Sequence, residues 1–179
     1  MADPFGEEWF SPHSQQVLAS LGRSVLGIDG DIVEVGSWTG RSTCALARAV
    51  NPRLVHSVDT WEGSPGEVSR TLAAGRDVYA EFSSNVAHFT AGNVDPHRMG
   101  WRDYFETHRD PLALVFIDAA HTYEEVRDNI EAVLPLVVRG GVICGDDVHD
   151  PGVQQGVLET LEGARVQVVA SLWVYRVEV

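Results

Sequence analysis

Short apolar runs alternate along this chain with longer segments of helical spacing, and this alternation restricts the fold more than any other feature. The predicted strands cover residues 31–35, 54–58, 94–99, 112–117 and 141–144. Strands separated by helices form a mostly parallel sheet with helices on both faces. The tail, residues 166–177, predicts two further strands joined near Ser171, which add an antiparallel edge. The chain is therefore predicted to be an α/β protein.

Helical spacing of apolar residues marks the intervening segments. The predicted helices cover residues 14–26, 42–50, 77–89, 123–138 and 153–161. Residues 60–76 carry three glycines and a proline, form the longest irregular stretch, and are predicted to be an active-site loop. Residues 1–30 are predicted to be an N-terminal lid and helix, and residues 31–179 a ligand-binding region of the same single domain.

Charge and composition exclude several classes of protein. The formal net charge is −13, from 13 basic and 26 acidic residues, so a phosphate backbone would be repelled and no nucleic-acid partner is expected. No apolar run reaches the roughly 18 residues of a membrane span. Residues 1–10 carry acids and no basic cluster, so they are not expected to be a signal peptide. Cys44 and Cys144 lie in apolar surroundings and predict core residues of a reducing compartment. A cytoplasmic location without membrane contact is the expectation.

A glycine-containing turn follows the first predicted strand. Gly36 allows a sharp turn and close approach of a ligand, while Gly40 opens a helix whose free amides favour a carboxylate. Glu34 could pair with a ligand ammonium group, directly or through water. Asp59 follows the second strand, where a carboxylate can accept hydrogen bonds from both hydroxyls of a ribose. The alternatives are a turn without a ligand and a carboxylate that caps it.

Acidic residues follow the fourth and fifth predicted strands. Asp118 begins an Asp-x-x-His segment that ends at His121, and Asp146 and Asp147 follow the next strand. Neighbouring parallel strands lie about 4.8 Å apart, so these carboxylates should converge and repel one another unless a cation separates them. A Mg²⁺ ion bound by oxygens would do so, with His121 accepting a proton from the substrate. The alternatives are capping aspartates and a surface histidine.

Large aromatic residues lie on the loops that face the predicted site. Trp38 and Trp61 could form walls of the pocket, and Gly100-Trp101 falls where an adenine ring would be flanked. The alternative for each tryptophan is core packing.

Several of these segments resemble a known family. Residues Ile32–Ser42 resemble motif I of class I S-adenosylmethionine (SAM)-dependent methyltransferases. A subgroup, the metal-dependent sugar O-methyltransferases of macrolide and related antibiotic biosynthesis with their cephalosporin-tailoring relatives, is similar in further segments. These are residues 58–63, 116–124, 134–136, 140–141 and 144–147. The resemblance extends from about residue 31 to residue 148.

The resemblance implies a Rossmann-like three-layer sandwich with a seven-stranded sheet in the order 3-2-1-4-5-7-6 and an antiparallel last strand. It implies that the motif I loop binds the methionine part of SAM and Asp59 the ribose. It also implies that Asp118, Asp146 and Asp147 are Mg²⁺ ligands and that His121, with Asp118, is catalytic. The residues predicted to bind the cofactor are Glu34, Gly36, Ser37, Trp38, Gly40, Ser42, Asp59, Trp61, Gly100, Trp101 and Asp118.

Two residues depart from the family pattern: Trp38 replaces a middle glycine, and Gly100 replaces an acid common after strand three. The resemblance also leads us to expect a chain without the extra N-terminal domain of larger relatives, which would leave apolar surface that a homodimer could cover. The expected activity is Mg²⁺-dependent O-methylation of a small hydroxylated acceptor, a sugar or another natural product. The alternatives are a metal-independent methyltransferase, a non-catalytic SAM-binding protein and an NAD(P)-dependent oxidoreductase. The last lacks support because no Gly-x-Gly-x-x-Gly motif is present.

Overall fold

The computed structural model describes residues 3–161 and 166–178. The described residues form a seven-stranded sheet with the order β3-β2-β1-β4-β5-β7-β6. Strands β1 to β5 pair in parallel, and β7 runs antiparallel to both of its neighbours. The strands are β1 Asp31–Val35, β2 Val55–Asp59, β3 Val94–Arg98, β4 Leu112–Ile117, β5 Val137–Gly145, β6 Val166–Val169 and β7 Leu172–Arg176. The predicted order and the antiparallel last strand are confirmed.

Helices cover both faces of this sheet. They are α1 Pro12–Ser24, α2 Arg41–Val50, α3 Val68–Ala73, α4 Val78–Phe89, α5 Trp101–Thr107, α6 Tyr123–Val133 and α7 Pro151–Thr160. Successive side chains of the central strand β4 point to opposite faces. Leu114 packs with α1 and α2 in one apolar cluster, while Val115 packs with α5, α6 and α7 in the other. The three-layer sandwich is therefore confirmed.

The predicted helix over 123–138 is wrong at its end. Helix α6 stops at Val133 with Leu134 as its C-cap, and β5 begins at Val137. Pro135 falls between them, and a proline has no amide hydrogen to continue the helical ladder. The β-branched Val137 and Val138 then favour a strand. Strand β5 is thus four residues longer at its start than the predicted 141–144.

Two short helices, α3 and α5, were not predicted. Helix α3 has six residues and no buried side chain, and α5 has seven residues with only Tyr104 and Phe105 buried. Neither is long enough to show an apolar period. Helix α3 lies within the stretch predicted to be irregular, residues 60–76.

Both cysteines are free and buried, and burial raises the pKa of Cys44 to about 12. The thiols are core residues, as predicted. Within residues 3–161 and 166–178, no helix is long and apolar enough to cross a bilayer.

Candidate active site

A cavity of about 1000 Å³ opens at the carboxyl ends of the parallel strands. Ligands of open α/β sheets bind at this edge, where the strand order reverses between β1 and β4. Its wall includes residues that end or follow four neighbouring strands: Gly36 after β1, Asp59 at the end of β2, Asp118 after β4 and Asp146 after β5. The cavity is therefore where the sequence predicted the site.

Gly36 brings the turn after β1 against the end of β4. Its φ is +86°, and a Cβ atom at this position would lie 1.9 Å from the carbonyl oxygen of Asp118. A glycine is required because no side chain fits this approach. Ser37 and Ser42 also line the cavity. Gly40 does not line it: this residue is the N-cap of α2, and its φ of +89° turns the chain beside Phe82.

Asp59 orders this turn. Its Oδ2 atom accepts hydrogen bonds from the backbone amides of Ser37 at 2.8 Å and Trp38 at 2.9 Å, and Oδ1 accepts one from the amide of Trp61 at 2.7 Å. Burial raises the pKa of Asp59, and these amides oppose that rise. Asp59 also lines the cavity. The capping function considered from the sequence is thus present at a residue that faces the cavity.

Glu34 stabilises the turn through buried hydrogen bonds. It is fully buried, and its Oε2 atom accepts hydrogen bonds from the hydroxyls of Ser37 at 2.9 Å, Ser57 at 3.1 Å and Thr43. Its Oε1 atom has no hydrogen-bond partner among the described residues. Burial raises the pKa of this carboxyl group. Because Glu34 does not line the cavity, a direct contact with a ligand ammonium group is wrong, and pairing through water stays a prediction.

Trp61 is a core residue, and its predicted place in the cavity wall is wrong. Its side chain is buried against Tyr79 and Phe82, with ring centroids 4.7 and 4.8 Å away. Its indole Nε1 donates a hydrogen bond to the carbonyl oxygen of Trp38 at 2.8 Å. The sequence does not show that its backbone adopts a φ of +56°, which is rare for a bulky residue.

Three other residues predicted to bind the cofactor do line the cavity. Trp38 lines the cavity in the turn after β1. Gly100 and Trp101 line it at the start of α5. The indole Nε1 of Trp101 donates a hydrogen bond to Glu125 Oε2 at 3.1 Å, and the guanidinium of Arg102 lies 4.2 Å from the ring centroid. The Trp101 ring is therefore held in place.

The predicted acids converge at the cavity. Asp118, His121 and Asp147 offer potential ligand atoms that all lie within 4.8 Å of one another. Asp146 is buried beside them, and its Oδ1 atom has no hydrogen-bond partner among the described residues. Burial raises the pKa of Asp118 well above its usual value, and the charges of Asp146 and Asp147 raise it further.

This donor set fits a divalent cation. Three carboxylates crowd one edge of the sheet, and one buried oxygen among them has no partner. Hard cations such as Mg²⁺ prefer oxygen ligands, and a positive charge would relieve the repulsion that raises the pKa of Asp118. Asp118 and Asp147 could therefore hold the cation together with His121, because their potential ligand atoms form one group. Asp146, predicted as a third carboxylate ligand, is buried but does not belong to that group.

His121 lies between two carboxylates, and one of them was not predicted. Its Nε2 atom lies 2.9 Å from Asp147 Oδ2, and its Nδ1 atom lies 3.4 Å from Glu67 Oε1. The Glu67 carboxylate also accepts a hydrogen bond from the backbone amide of His121 at 3.0 Å. Asp147 and Glu67 raise the pKa of His121 to about 9, against the opposing effect of burial. The only signal for Glu67 in the sequence was its place in the irregular stretch.

Residues 3–11, here called the N-terminal strap, contribute to the cavity wall. Glu7, Trp9 and Phe10 line it. Glu7 links the strap to two connecting segments, because its Oε2 accepts a hydrogen bond from Trp38 Nε1 at 3.0 Å and its Oε1 lies 2.6 Å from Arg76 Nη1. The strap forms part of the predicted lid over residues 1–30, of which Met1 and Ala2 lie outside the described residues.

Comparison with known proteins agrees with this geometry. A sequence model of a family described as a methyltransferase domain matches residues 33–148, more than half of the chain. No curated protein sequence matches the chain.

Solved structures of O-methyltransferases share the fold. The O-methyltransferase NovP is 22% identical with a TM-score of 0.69, over 92% of this chain and 79% of that one. The calicheamicin methyltransferase CalS11 is 17% identical with a TM-score of 0.72, over 93% and 80%. The O-methyltransferase TomG from Streptomyces achromogenes, involved in tomaymycin synthesis and solved with SAM, is 22% identical with a TM-score of 0.67, over 92% and 79%.

Proposed function

Because this chain belongs to the methyltransferase-domain family and is a SAM-dependent methyltransferase, we propose that it methylates a hydroxyl oxygen of a small acceptor with the help of a divalent cation. One observation carries the proposal. Asp118, His121 and Asp147 meet in the same cavity as the Gly36 turn, so a donor bound at the turn would adjoin an acceptor bound at these side chains.

The donor side of the cavity is formed by the Gly36 turn and the residues around it. Ser37, Trp38 and Asp59 line one wall, and Gly100 and Trp101 line another. These residues would hold SAM, which supplies an electrophilic methyl group on a sulfonium. A volume of about 1000 Å³ lies at the upper end of the range for small-molecule sites, which favours room for a donor and an acceptor together.

The acceptor side is acidic. Asp118, Asp146 and Asp147 would hold Mg²⁺, which when bound would lower the pKa of an acceptor hydroxyl. A sugar or another hydroxylated natural product has suitable hydroxyl groups. The strap residues Trp9 and Phe10 would form the outer wall of the acceptor site.

His121 is proposed as the group that takes the acceptor proton. Its high pKa depends first on the carboxylate of Asp147. If Asp147 held a cation, its carboxylate would stabilise the charged form of the imidazole less, while Glu67 would still orient the ring through Nδ1. As the acceptor oxygen attacks the methyl carbon and the carbon–sulfur bond breaks, His121 Nε2 receives the proton. Alignment of oxygen, carbon and sulfur supplies much of the acceleration.

A metal-independent methyltransferase is the second candidate, and one observation favours it. The ion pair of His121 and Asp147 at 2.9 Å already places a positive charge among the carboxylates. In that case the imidazolium, and no metal, balances the acidic cluster.

Calorimetric titration of SAM into the protein is the first test, and the absence of binding at millimolar SAM would refute the proposal. Methyl transfer to a panel of catechols and sugars is then measured after EDTA treatment and after return of Mg²⁺. We expect activity to vanish and return, whereas activity that survives EDTA supports the metal-independent candidate. Binding of SAM without methyl transfer to any acceptor would favour a non-catalytic protein.

A second experiment examines His121 directly. The substitution His121→Ala should lower kcat about 10²-fold or more while leaving SAM affinity nearly unchanged, since general-base catalysis contributes on this order. The substitution His88→Ala, at an exposed position on α4, is the matched control. An equal loss of SAM affinity and turnover would remove His121 from the base function.

A further inference from the structure

A second cluster of imidazole and carboxylate groups lies away from the cavity. It comprises His56 on β2 and both Asp95 and His97 on β3, and none of these residues lines the cavity. The parallel register pairs His56 with Asp95. Because side chains two residues apart share one face of a strand, His97 lies on the same face as Asp95. The pairing thus brings three potential ligands of different strands together.

The three ligand atoms form a nearly equilateral triangle. His56 Nδ1 lies 3.1 Å from His97 Nε2 and 3.5 Å from Asp95 Oδ2, and His97 Nε2 lies 3.3 Å from the same oxygen. A tetrahedral Zn²⁺ ion with bonds of about 2.0–2.1 Å holds its ligand atoms about 3.3 Å apart. The triangle therefore has the size of one face of a zinc coordination tetrahedron.

We propose that His56, Asp95 and His97 bind a transition-metal ion of the Zn²⁺ class. Two nitrogens and one oxygen suit Zn²⁺, whereas Mg²⁺ prefers an all-oxygen set such as the one in the cavity. The side chain of Asp95 is 47% exposed, so an ion can enter from solvent and keep a water as fourth ligand. The two histidine side chains are 17% and 24% exposed, which shields the nitrogen ligands.

The surroundings hold the imidazoles in place. The ring of His97 packs against Tyr104 of α5, with centroids 4.8 Å apart, and stacks on His56 at 5.3 Å. The hydroxyl of Tyr104 lies 3.1 Å from His108 Nδ1, and His108 Nε2 lies 3.4 Å from Asp31 Oδ2. This adjoining carboxylate adds negative charge beside the cluster and favours a cation.

A bound ion would join the edge strand β3 to β2. Strand β3 lies at the end of the sheet and contains Pro96, which has no amide hydrogen to donate. The ion would therefore act as a structural link, independent of methyl transfer. The alternative is a hydrogen-bonded histidine pair that binds no metal.

Zinc binding to the full chain is the test, and the cavity cluster is first disabled by Asp147→Asn. The EDTA-treated variant is titrated with ZnCl₂ in a calorimeter in the presence of excess MgCl₂, and bound zinc is counted by elemental analysis after dialysis. We expect one Zn²⁺ per chain and a rise in Tm. Adding His97→Ala should weaken zinc binding at least about tenfold, while His88→Ala, at an exposed histidine outside both clusters, should leave it unchanged.

Two results would overturn the proposal: no zinc binding in the Asp147→Asn background, or equal zinc affinity with and without His97→Ala. Circular dichroism checks that the His97→Ala protein is folded. If the His97→Ala protein does not fold, Asp95→Asn, at an exposed carboxylate, is an independent test of the same site. Zinc bound by the wild type but lost in Asp147→Asn would place the ion in the cavity and also refute the second site.

Discussion

The Nε2 atom of His121 lies 2.9 Å from the Oδ2 atom of Asp147. The proposed base and a proposed cation ligand are therefore direct neighbours. Asp147 adopts a left-handed backbone conformation with a φ of +54°, which a residue of this type tolerates better than most. The carboxylate can pair with the imidazole or with a metal, so protonation of His121 and cation binding should be coupled.

The stability of the metal-free protein should fall as the pH rises through about 9. The pKa of His121 is raised from 6.5 to about 9 in the folded state, chiefly by Asp147. Its contribution to the free energy of unfolding is thus fully present below about 6.5 and lost as the pH passes the folded value. Urea unfolding in EDTA from pH 6 to 10 measures this loss, which Asp147→Asn should reduce. A wild-type curve that matches the variant over this range would contradict the ion pair.

Replacing Gly36 with alanine should unfold or deform the site. The new Cβ would lie 1.9 Å from the carbonyl oxygen of Asp118, so strands β1 and β4 must shift apart. We expect a loss of about 3 kcal/mol or more, from left-handed strain and overpacking combined. Gly66→Ala is the control, because its φ is +83° but no atom lies within 4 Å of its Cβ position, and about 1 kcal/mol is expected there. Equal losses in urea unfolding would show that the close approach is unimportant.

The substitution Asp59→Asn should lower both stability and SAM affinity. Its Oδ2 atom accepts backbone hydrogen bonds from residues 37 and 38, and its Oδ1 atom accepts one from residue 61. Asparagine keeps one oxygen and replaces the other with an NH₂ group that cannot accept, so one or two of these bonds are lost. We expect a loss of about 1–3 kcal/mol and at least about tenfold weaker SAM binding, measured by urea unfolding and calorimetry. Asp29→Asn, at an exposed site, is the control. Weakened SAM binding with unchanged stability would mean that Asp59 acts on the ligand alone.

The N-terminal strap should open more often when Glu7 is replaced with glutamine. The change removes the charge that pairs with Arg76 and weakens the hydrogen bond from Trp38. Charge-assisted hydrogen bonds of this kind are worth about 1–2 kcal/mol, so opening should increase about tenfold. Hydrogen exchange of residues 3–11 and the SAM dissociation rate measure it. Glu8→Gln, at the exposed neighbour, should change neither, and no difference between the two variants would show that Glu7 does not anchor the strap.

Topology made much of this molecule predictable. The bounds of β1 and β4 were predicted to the residue, because β4 is a continuous buried apolar run and three of the five residues of β1 are apolar and buried. The convergence of Asp118 and Asp147 followed from the rule that parallel strands end at one edge. A periodic pattern and a strand order thus suffice to place groups that lie 29 residues apart in the chain.

What sequence patterns missed depends on backbone angles and on loops. The position of Trp61 in the core follows from a positive φ that no composition rule assigns to tryptophan. Glu67 reaches His121 only because the loop before α3 folds over the cavity. The end of α6 was misjudged because the predicted helix over 123–138 continued through Pro135, whereas this proline separates a helix from a strand.

The indole rings of Trp9 and Trp38 lie 5.6 Å apart and are inclined by 36°. Two chromophores at this separation couple their excited states, so the pair should contribute an exciton signal to the ultraviolet circular dichroism spectrum. Trp9 belongs to the strap and Trp38 to the Gly36 turn, so the exciton signal would weaken whenever the two rings separate. The circular dichroism signal of this tryptophan pair would therefore report closure of the strap without any label.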